Sequence, residues 1–370
     1  MGDRIFNFSA GPGVLPEEVL RQVQQDVWTI GGSGIGILEH SHRGKVVDRI
    51  FEECEADGRA IGSIPANYRI LFLTGGASQQ NWQIPMNFLP AGRTGDYLIT
   101  GFWAQKTYEG AAKLASFPGK PFGTAHIAAS SKDKNHSYIP SAAQTTFSER
   151  PAYVHFCGNN TIVGTEFHAE PAVPEGVPLI GDLSSHLFSR PLDVSKYAMI
   201  YAGAQKNVGP AGTTLVILRD DMVERGSKDL PELMQYRSFV PELSRPNTPP
   251  VFAVYVMGLV FKWIIGQGGL AAIQKQNRAK VKPIYDVLDS SGFYRGHARP
   301  DSRSLMNITF RLPTEALEEA FIKEAKAHGM DGLKGHRSVG GVRASTYNAF
   351  PAQGCTALAQ FMKDFEKKNG

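Results

Sequence analysis

One lysine stands alone in an uncharged, glycine-rich turn. Lys206 lies inside YAMIYAGAQKNVGPAGTTLVILR, residues 197–219, and is the only lysine between Lys196 and Lys228. The flanking runs AMIY and TTLVIL are rich in β-branched and aromatic residues, which predicts two strands with the turn at the edge of a buried sheet. An amine in that position either snorkels into water along its aliphatic stem or needs a partner or a covalent use. Asp182 closes the apolar run VPLIGD, where a carboxylate caps the next segment or pairs with a buried cation. Trp103 follows YLIT in GFWAQK; it either packs or covers a planar heterocycle with its flat face. After YRILFL comes TGGASQQNW, residues 74–82. The pair Gly75-Gly76 permits a tight turn, and the free N–H groups of Ala77 and Ser78 at a helix start would face an anion such as a phosphate. The same glycines also suit a plain strand-to-helix turn.

The surrounding elements have to bring these residues together. From about residue 66 to 220, strand-like runs (YRILFL, YLIT, YVHF, VPLIGD, AMIY) alternate with helix-like ones (SQQNWQIPMNFL, AQKTYEGAAKLA). That alternation predicts an α/β fold with a mostly parallel central sheet and helices on both faces. Beyond the Pro-rich PELSRPNTPP at residues 241–250 come two helical segments covering 251–290, a strand in SLMNITFRL, a helix in EALEEAFIKEAKAHG, a strand around GGVRAST and a final helix over 351–368. The expected organisation is a large α/β domain, 16–250, and a smaller α+β domain, 251–370, joined by an N-terminal segment, 1–15. Ligands of open α/β sheets bind beyond the carboxyl ends of the strands, where Gly75-Gly76, Trp103, Asp182 and Lys206 all fall.

Composition narrows the partners. With 39 basic and 35 acidic residues the net charge is +4, too even to point to nucleic acid or a membrane surface. Cys54, Cys157 and Cys355 are too widely spaced for a disulfide framework or a metal cluster. The start, MGDRIFNF, is charged where a secretory signal would be apolar. The longest apolar stretch, Val251 to Phe261, is too short for a membrane span. A cytoplasmic enzyme acting on small anions is the expectation. A dinucleotide fingerprint is not present, because GGSGIGIL at residues 31–38 lacks G-x-G-x-x-G and follows no strand-like run.

Taken together, the strand ends offer an amine, a carboxylate, a large aromatic face and an anion cradle. Pyridoxal 5'-phosphate needs these four things: a Schiff-base lysine, a partner for its pyridinium nitrogen, a stacking surface and a phosphate site. The order Gly75-Gly76, Trp103, Thr161, Asp182, Lys206 resembles that of the class V, fold-type I aminotransferases. NFSAGPGVLP, HSHRGK at 40–45, DLSSHLFSRPLDVSKYAMIYAGAQKNVGPAG and GHRSVGGVRASTYNA are similar to the phosphoserine aminotransferase family, and the likeness runs from residue 6 to about residue 350.

The resemblance implies a homodimer in which Lys206 holds the cofactor, Asp182 pairs with its ring nitrogen, Trp103 stacks on the ring and Thr161 bonds its ring hydroxyl. It implies that Gly76, Ala77, Ser78 and Gln205 form the phosphate site, helped by Asn247 and Thr248 of the other subunit, which the rigid NTPP segment would present across the interface. Arg343 is expected to fork onto the substrate carboxylate. His336 and Arg337, with His42 and Arg43 of the neighbouring subunit, are expected to meet the substrate phosphate. The implied reaction moves the amino group of L-glutamate to 3-phosphohydroxypyruvate, giving O-phospho-L-serine and 2-oxoglutarate for serine synthesis, with a related phosphohydroxythreonine of vitamin B6 synthesis as a second substrate. Lys206 would be the base at the substrate Cα. The chain departs from some family members at Ala77, where they carry an arginine.

Three other readings share these features. An alanine, serine or glyoxylate aminotransferase of class V would need no cluster for a second anion. A cysteine desulfurase would need a mobile cysteine in an exposed loop. A non-catalytic phosphometabolite-binding protein on the same fold would be expected to lack Lys206 or Asp182.

Overall fold

The computed structural model describes residues 4–370. Met1, Gly2 and Asp3, which open the N-terminal segment and the charged start, lie outside the described residues. A short strand β1 (Phe6–Asn7) and two helices, α1 (Glu17–Trp28) and α2 (Lys45–Gly62), precede the sheet. The sheet region then runs β2 (Tyr68–Leu73), α3 (Gly76–Phe88), β3 (Thr94–Ile99), α4 (Phe102–Ala115), β4 (Thr124–Ser130), β5 (Tyr153–Cys157), the two-residue pair β6 (Asn159–Asn160) and β7 (Thr165–Glu166), β8 (Leu179–Asp182), β9 (Met199–Gly203), β10 (Thr214–Arg219) and α5 (Asp220–Arg225). The C-terminal third comprises α6 (Val251–Gly266), α7 (Gly269–Ser290), β11 (Arg295–Gly296), β12 (Asn307–Arg311), α8 (Glu315–Ala327), β13 (Met330–Asp331), β14 (Val342–Ser345) and α9 (Ala352–Asn369).

Seven strands form the central sheet in the order β2-β10-β9-β8-β5-β3-β4. The ladders from β9 through β8, β5 and β3 to β4 are parallel, and only β10 runs against both its neighbours. Strands β5, β8 and β9 are buried along their whole length, as expected of strands covered by helices on both faces. The three parallel strands therefore end side by side, with Cys157 beside Asp182 and Asp182 beside Tyr201.

The two faces of the sheet and the C-terminal layer have separate apolar clusters. The first cluster includes Phe51, Phe72, Val154, Ile200, Val260 and Phe261, and the second includes Phe8, Ile284, Phe310, Phe321, Leu358 and Met362. The third, on the opposite face of the sheet, includes Ile84, Tyr97, Tyr153, Ile180 and Tyr201. Helix α6, which follows residue 250, does not open the second cluster. It is apolar on all sides and packs into the first. It approaches α2 closely because glycines line the crossing, Gly58 under the Phe261 ring and Gly258 against Cys54. Within α7, Ile273 belongs to the first cluster and Val281 to the second. Among the described residues no single helix is long and apolar enough to cross a membrane.

Candidate active site

The turn after β9 carries Lys206 over the ends of these strands. Its side chain is half-buried, with Nζ 5.6 Å from the centroid of the Trp103 ring. Withdrawal from water pushes the amine's pKa down, opposed first by Asp182 and then by Cys157, and reinforced by Arg343. Lys206 therefore has a carboxylate, a thiol and a guanidinium within electrostatic reach. Of the features expected at the strand ends, the lysine, the carboxylate and the aromatic face lie near one another.

Asp182 is 8% exposed, and both hydrogen bonds it accepts go to one oxygen. Ser184 donates to Oδ1 through its backbone N–H at 3.0 Å and its hydroxyl at 2.6 Å. The Ser184 hydroxyl in turn accepts from the Gly203 N–H at 3.0 Å. That N–H belongs to the strand that delivers Lys206, so carboxylate and lysine share one rigid frame. Among the described residues both of these donors meet Oδ1 and none meets Oδ2.

On the other side, the Trp103 indole Nε1–H donates to the Thr161 hydroxyl at 3.2 Å, and Arg343 Nη1 donates to the Thr161 carbonyl at 3.1 Å. Arg343 Nε is buried without a partner among the described residues, and burial pushes the guanidinium's pKa down. A buried, unpaired donor of this kind is costly unless a ligand satisfies it. His336 is pushed below its usual pKa by burial first and then by the cations Arg343 and Arg337. Its Nδ1 pairs with the Ser338 hydroxyl at 2.7 Å, and its ring lies 6.0 Å from that of Phe102. Arg343 thus shares Thr161 with Trp103, and His336, held largely neutral, sits between the charges of Arg343 and Arg337.

The glycine pair performs the turn it was expected to perform. Gly75 and Gly76 have φ of 88° and 65°, conformations that side chains rarely adopt. They open α3, whose first turn takes no side-chain cap, so the N–H groups of Ala77 and Ser78 stay available to an anion. A Cβ built on Gly76 would meet nothing within 4 Å.

Sequence reasoning missed the seat under the lysine. The N-terminal segment passes beneath the turn, with Gly13 N–H donating to the Gln205 carbonyl at 2.7 Å. Tyr347 is fully buried; its hydroxyl donates to the Ala10 carbonyl at 2.5 Å. Asn348 N–H donates to Asn207 Oδ1 at 2.9 Å. Lys280 clamps the Tyr347 carbonyl at 2.7 Å from a buried position. The glycines of SAGPG were the one signal available. A Cβ on Gly13 would sit 2.6 Å from the Tyr347 ring and 3.1 Å from the Lys206 carbonyl. Gly13→Ala is therefore expected to cost about 1–3 kcal/mol of stability, read as a lowered denaturation midpoint.

Four expected residues lie elsewhere. His42 and Thr248 line a surface cleft of about 440 Å³ with Leu38 and Phe252, and this cleft includes none of the residues around Lys206. Arg43 and Asn247 are exposed beside them, Arg43 Nε donating to His42 Nε2 at 3.3 Å.

The family profile described as Aminotransferase class-V matches residues 5–358, and the chain belongs to that family. It is 49% identical to the phosphoserine aminotransferase of Herpetosiphon aurantiacus over 99% of both chains. The solved phosphoserine aminotransferase of Bacillus circulans subsp. alkalophilus has the same fold, with a TM-score of 0.95 and 46% identity over 100% of both chains. That of Trichomonas vaginalis, solved with PLP bound, gives a TM-score of 0.92 and 39% identity over 97% of this chain and 100% of its own. Within class V, the chain falls among the phosphoserine aminotransferases.

Proposed function

We propose that this chain is a pyridoxal-phosphate-dependent aminotransferase that moves the amino group of L-glutamate to 3-phosphohydroxypyruvate, in the synthesis of L-serine. The carrying observation is the convergence of Arg343, with its unpaired buried Nε, and the His336-Arg337 pair on the wall of the Lys206 site. Two anion-binding groups on one wall suit a substrate with a carboxylate at one end and a phosphate or second carboxylate at the other. An alanine or glyoxylate enzyme would need only the first.

The residues fit the cofactor. Asp182 Oδ2 is free for a ring nitrogen, Trp103 offers a face near Lys206, and the open cradle at Gly76, Ala77 and Ser78 suits a phosphate. Thr161 and Gln205 complete the holding set. When bound, pyridoxal phosphate supplies an electrophilic carbon and a ring that draws electrons from the substrate Cα. Lys206 anchors it and moves the proton at Cα, helped by an amine that burial keeps easier to deprotonate. Asp182 would offer its carboxylate to the ring nitrogen, and Arg343 would orient the substrate so that its Cα faces Lys206.

The assembly is a cytoplasmic homodimer in this reading. Trp28, Ile35 and Leu38 are exposed at 84%, 45% and 62%, an apolar surface beside the His42 and Thr248 cleft that a second copy would cover. That copy would contribute His42, Arg43, Asn247 and Thr248. Each chain divides into a large domain and a small one, with the boundary inside α7.

Absorbance in the near ultraviolet and visible, before and after O-phospho-L-serine or L-alanine, tests the reaction. Spectral conversion by phosphoserine alone is expected; conversion by alanine alone would move the chain to the general class V reaction. Arg337→Ala is expected to raise KM for phosphoserine by about 10-fold or more, the loss of one charge-assisted contact, with kcat little changed. An unchanged KM would remove Arg337 from the phosphate site.

A further inference from the structure

A second basic surface lies outside the residues already assigned. A cleft of about 690 Å³ opens between the sheet and the C-terminal layer, floored by Phe102, Ile162, Val163 and Val342. Lys132 and His136 line it from the segment after β4, Arg295 and His297 from the strand β11 and the residue following it. The cleft adjoins the site wall, because Phe102 precedes Trp103, Ile162 follows Thr161, and Ser338 binds His336.

The charges along this cleft are unevenly spent. Neither Lys132 nor Arg295 has an ion pair or a side-chain hydrogen bond among the described residues, and both are exposed. Arg311, opposite Arg295 in the β11–β12 ladder, is neutralised by Glu318 and Glu315. Like charges directly opposite on paired strands cost stability, so the bare Arg295 contributes nothing to the fold that would explain it. Glu109, the one acid on the lining, is held by Lys106 at 2.7 Å. His136 is pushed below its usual pKa by burial first and then by Lys132 and His297, with Asp133 opposing. Lys132 and His297 thus lie within electrostatic reach of His136 on this lining.

We infer that this cleft is an anion-capture site that collects the enzyme's small organic acids and passes them along the Phe102 wall into the Lys206 site. The inference rests on the reading that the substrates are anionic. A cleft of one charge sign with low-dielectric walls focuses the field and raises the local concentration of the opposite charge. Lys132 and Arg295 supply that charge without touching the reacting atoms.

The test is steady-state turnover of O-phospho-L-serine by the holoenzyme, the double variant Lys132→Glu/Arg295→Glu and a control, Lys363→Glu on α9, across KCl from about 20 mM to about 500 mM, where screening shortens from roughly 20 Å to a few ångströms. At low salt the double variant is expected to lose about tenfold in kcat/KM with kcat unchanged. The gap should close as salt rises, and the control should follow the parent. Equal kcat/KM at every salt concentration, or a loss that salt does not relieve, would overturn the capture site. No turnover by the parent enzyme would instead overturn the reading of the substrate, so the two failures are distinct.

Discussion

Lys206→Ala is expected to abolish transamination, with turnover falling by at least about 10³-fold. The residue has two roles in the proposed site, and alanine removes both. It anchors the cofactor, and it moves the proton at the substrate Cα from a position 5.6 Å from the Trp103 ring centre. No neighbour can replace it. Lys196 is exposed and ion-paired with Glu170, and Lys280 is buried on the backbone carbonyls of Tyr347 and Asn348. The check is turnover of phosphoserine by the purified variant supplied with pyridoxal phosphate, with and without a small primary amine. Partial recovery with the added amine would support the proton-moving role, whereas ordinary turnover without it would sink the mechanism. The variant is expected to fold, because the turn is also held by the Gly13–Gln205 and Asn348–Asn207 hydrogen bonds.

The strand ends were legible because parallel strands buried on both faces read as apolar runs, and whatever polar residue closes such a run stands out. Asp182 and Lys206 are of this kind. The edge strand β4 was not foreseen: Thr124–Ser130 is mostly exposed or half-exposed and alanine-rich, so its run lacks the apolar signal. Helix α6 was recognised as a helix, but its packing into the first cluster was not legible, since apolarity on every side shows that a helix is buried without showing in which core. The seat formed by Ala10, Gly13, Asn207, Tyr347 and Asn348 left no periodic trace. Its contacts join residues more than a hundred positions apart, and small polar residues at such joins follow no pattern. For His42, Arg43, Asn247 and Thr248 the family resemblance was the only guide, and His42 and Thr248 line a cleft separate from the residues around Lys206.

Asp182→Asn should be nearly as damaging as the loss of the lysine, lowering kcat by about 10²–10³-fold, the scale seen when a preorganised electrostatic group is removed. The substitution keeps the shape and can keep one acceptor for the Ser184 donors, so the lost quantity is the charge at Oδ2. That charge cannot be resupplied by rotation. Oδ1 is fixed by two donors at 3.0 Å and 2.6 Å, and the hydroxyl among them is itself fixed by the Gly203 N–H. Ser184→Ala provides the graded comparison: the charge stays and one of its two restraints goes, so about a tenfold loss of kcat is expected, from a carboxylate that is present but less well aimed. Absorbance of the bound cofactor as a function of pH separates the two cases. Removing the charge should change the titration outright, while removing the hydroxyl should shift it slightly, and Ser184→Thr, which restores the hydroxyl, should return it towards the parent. If Asp182→Asn turns over at the parental rate with an unaltered titration, Asp182 is only a cap on the segment after β8, the alternative its position at the end of VPLIGD had left open.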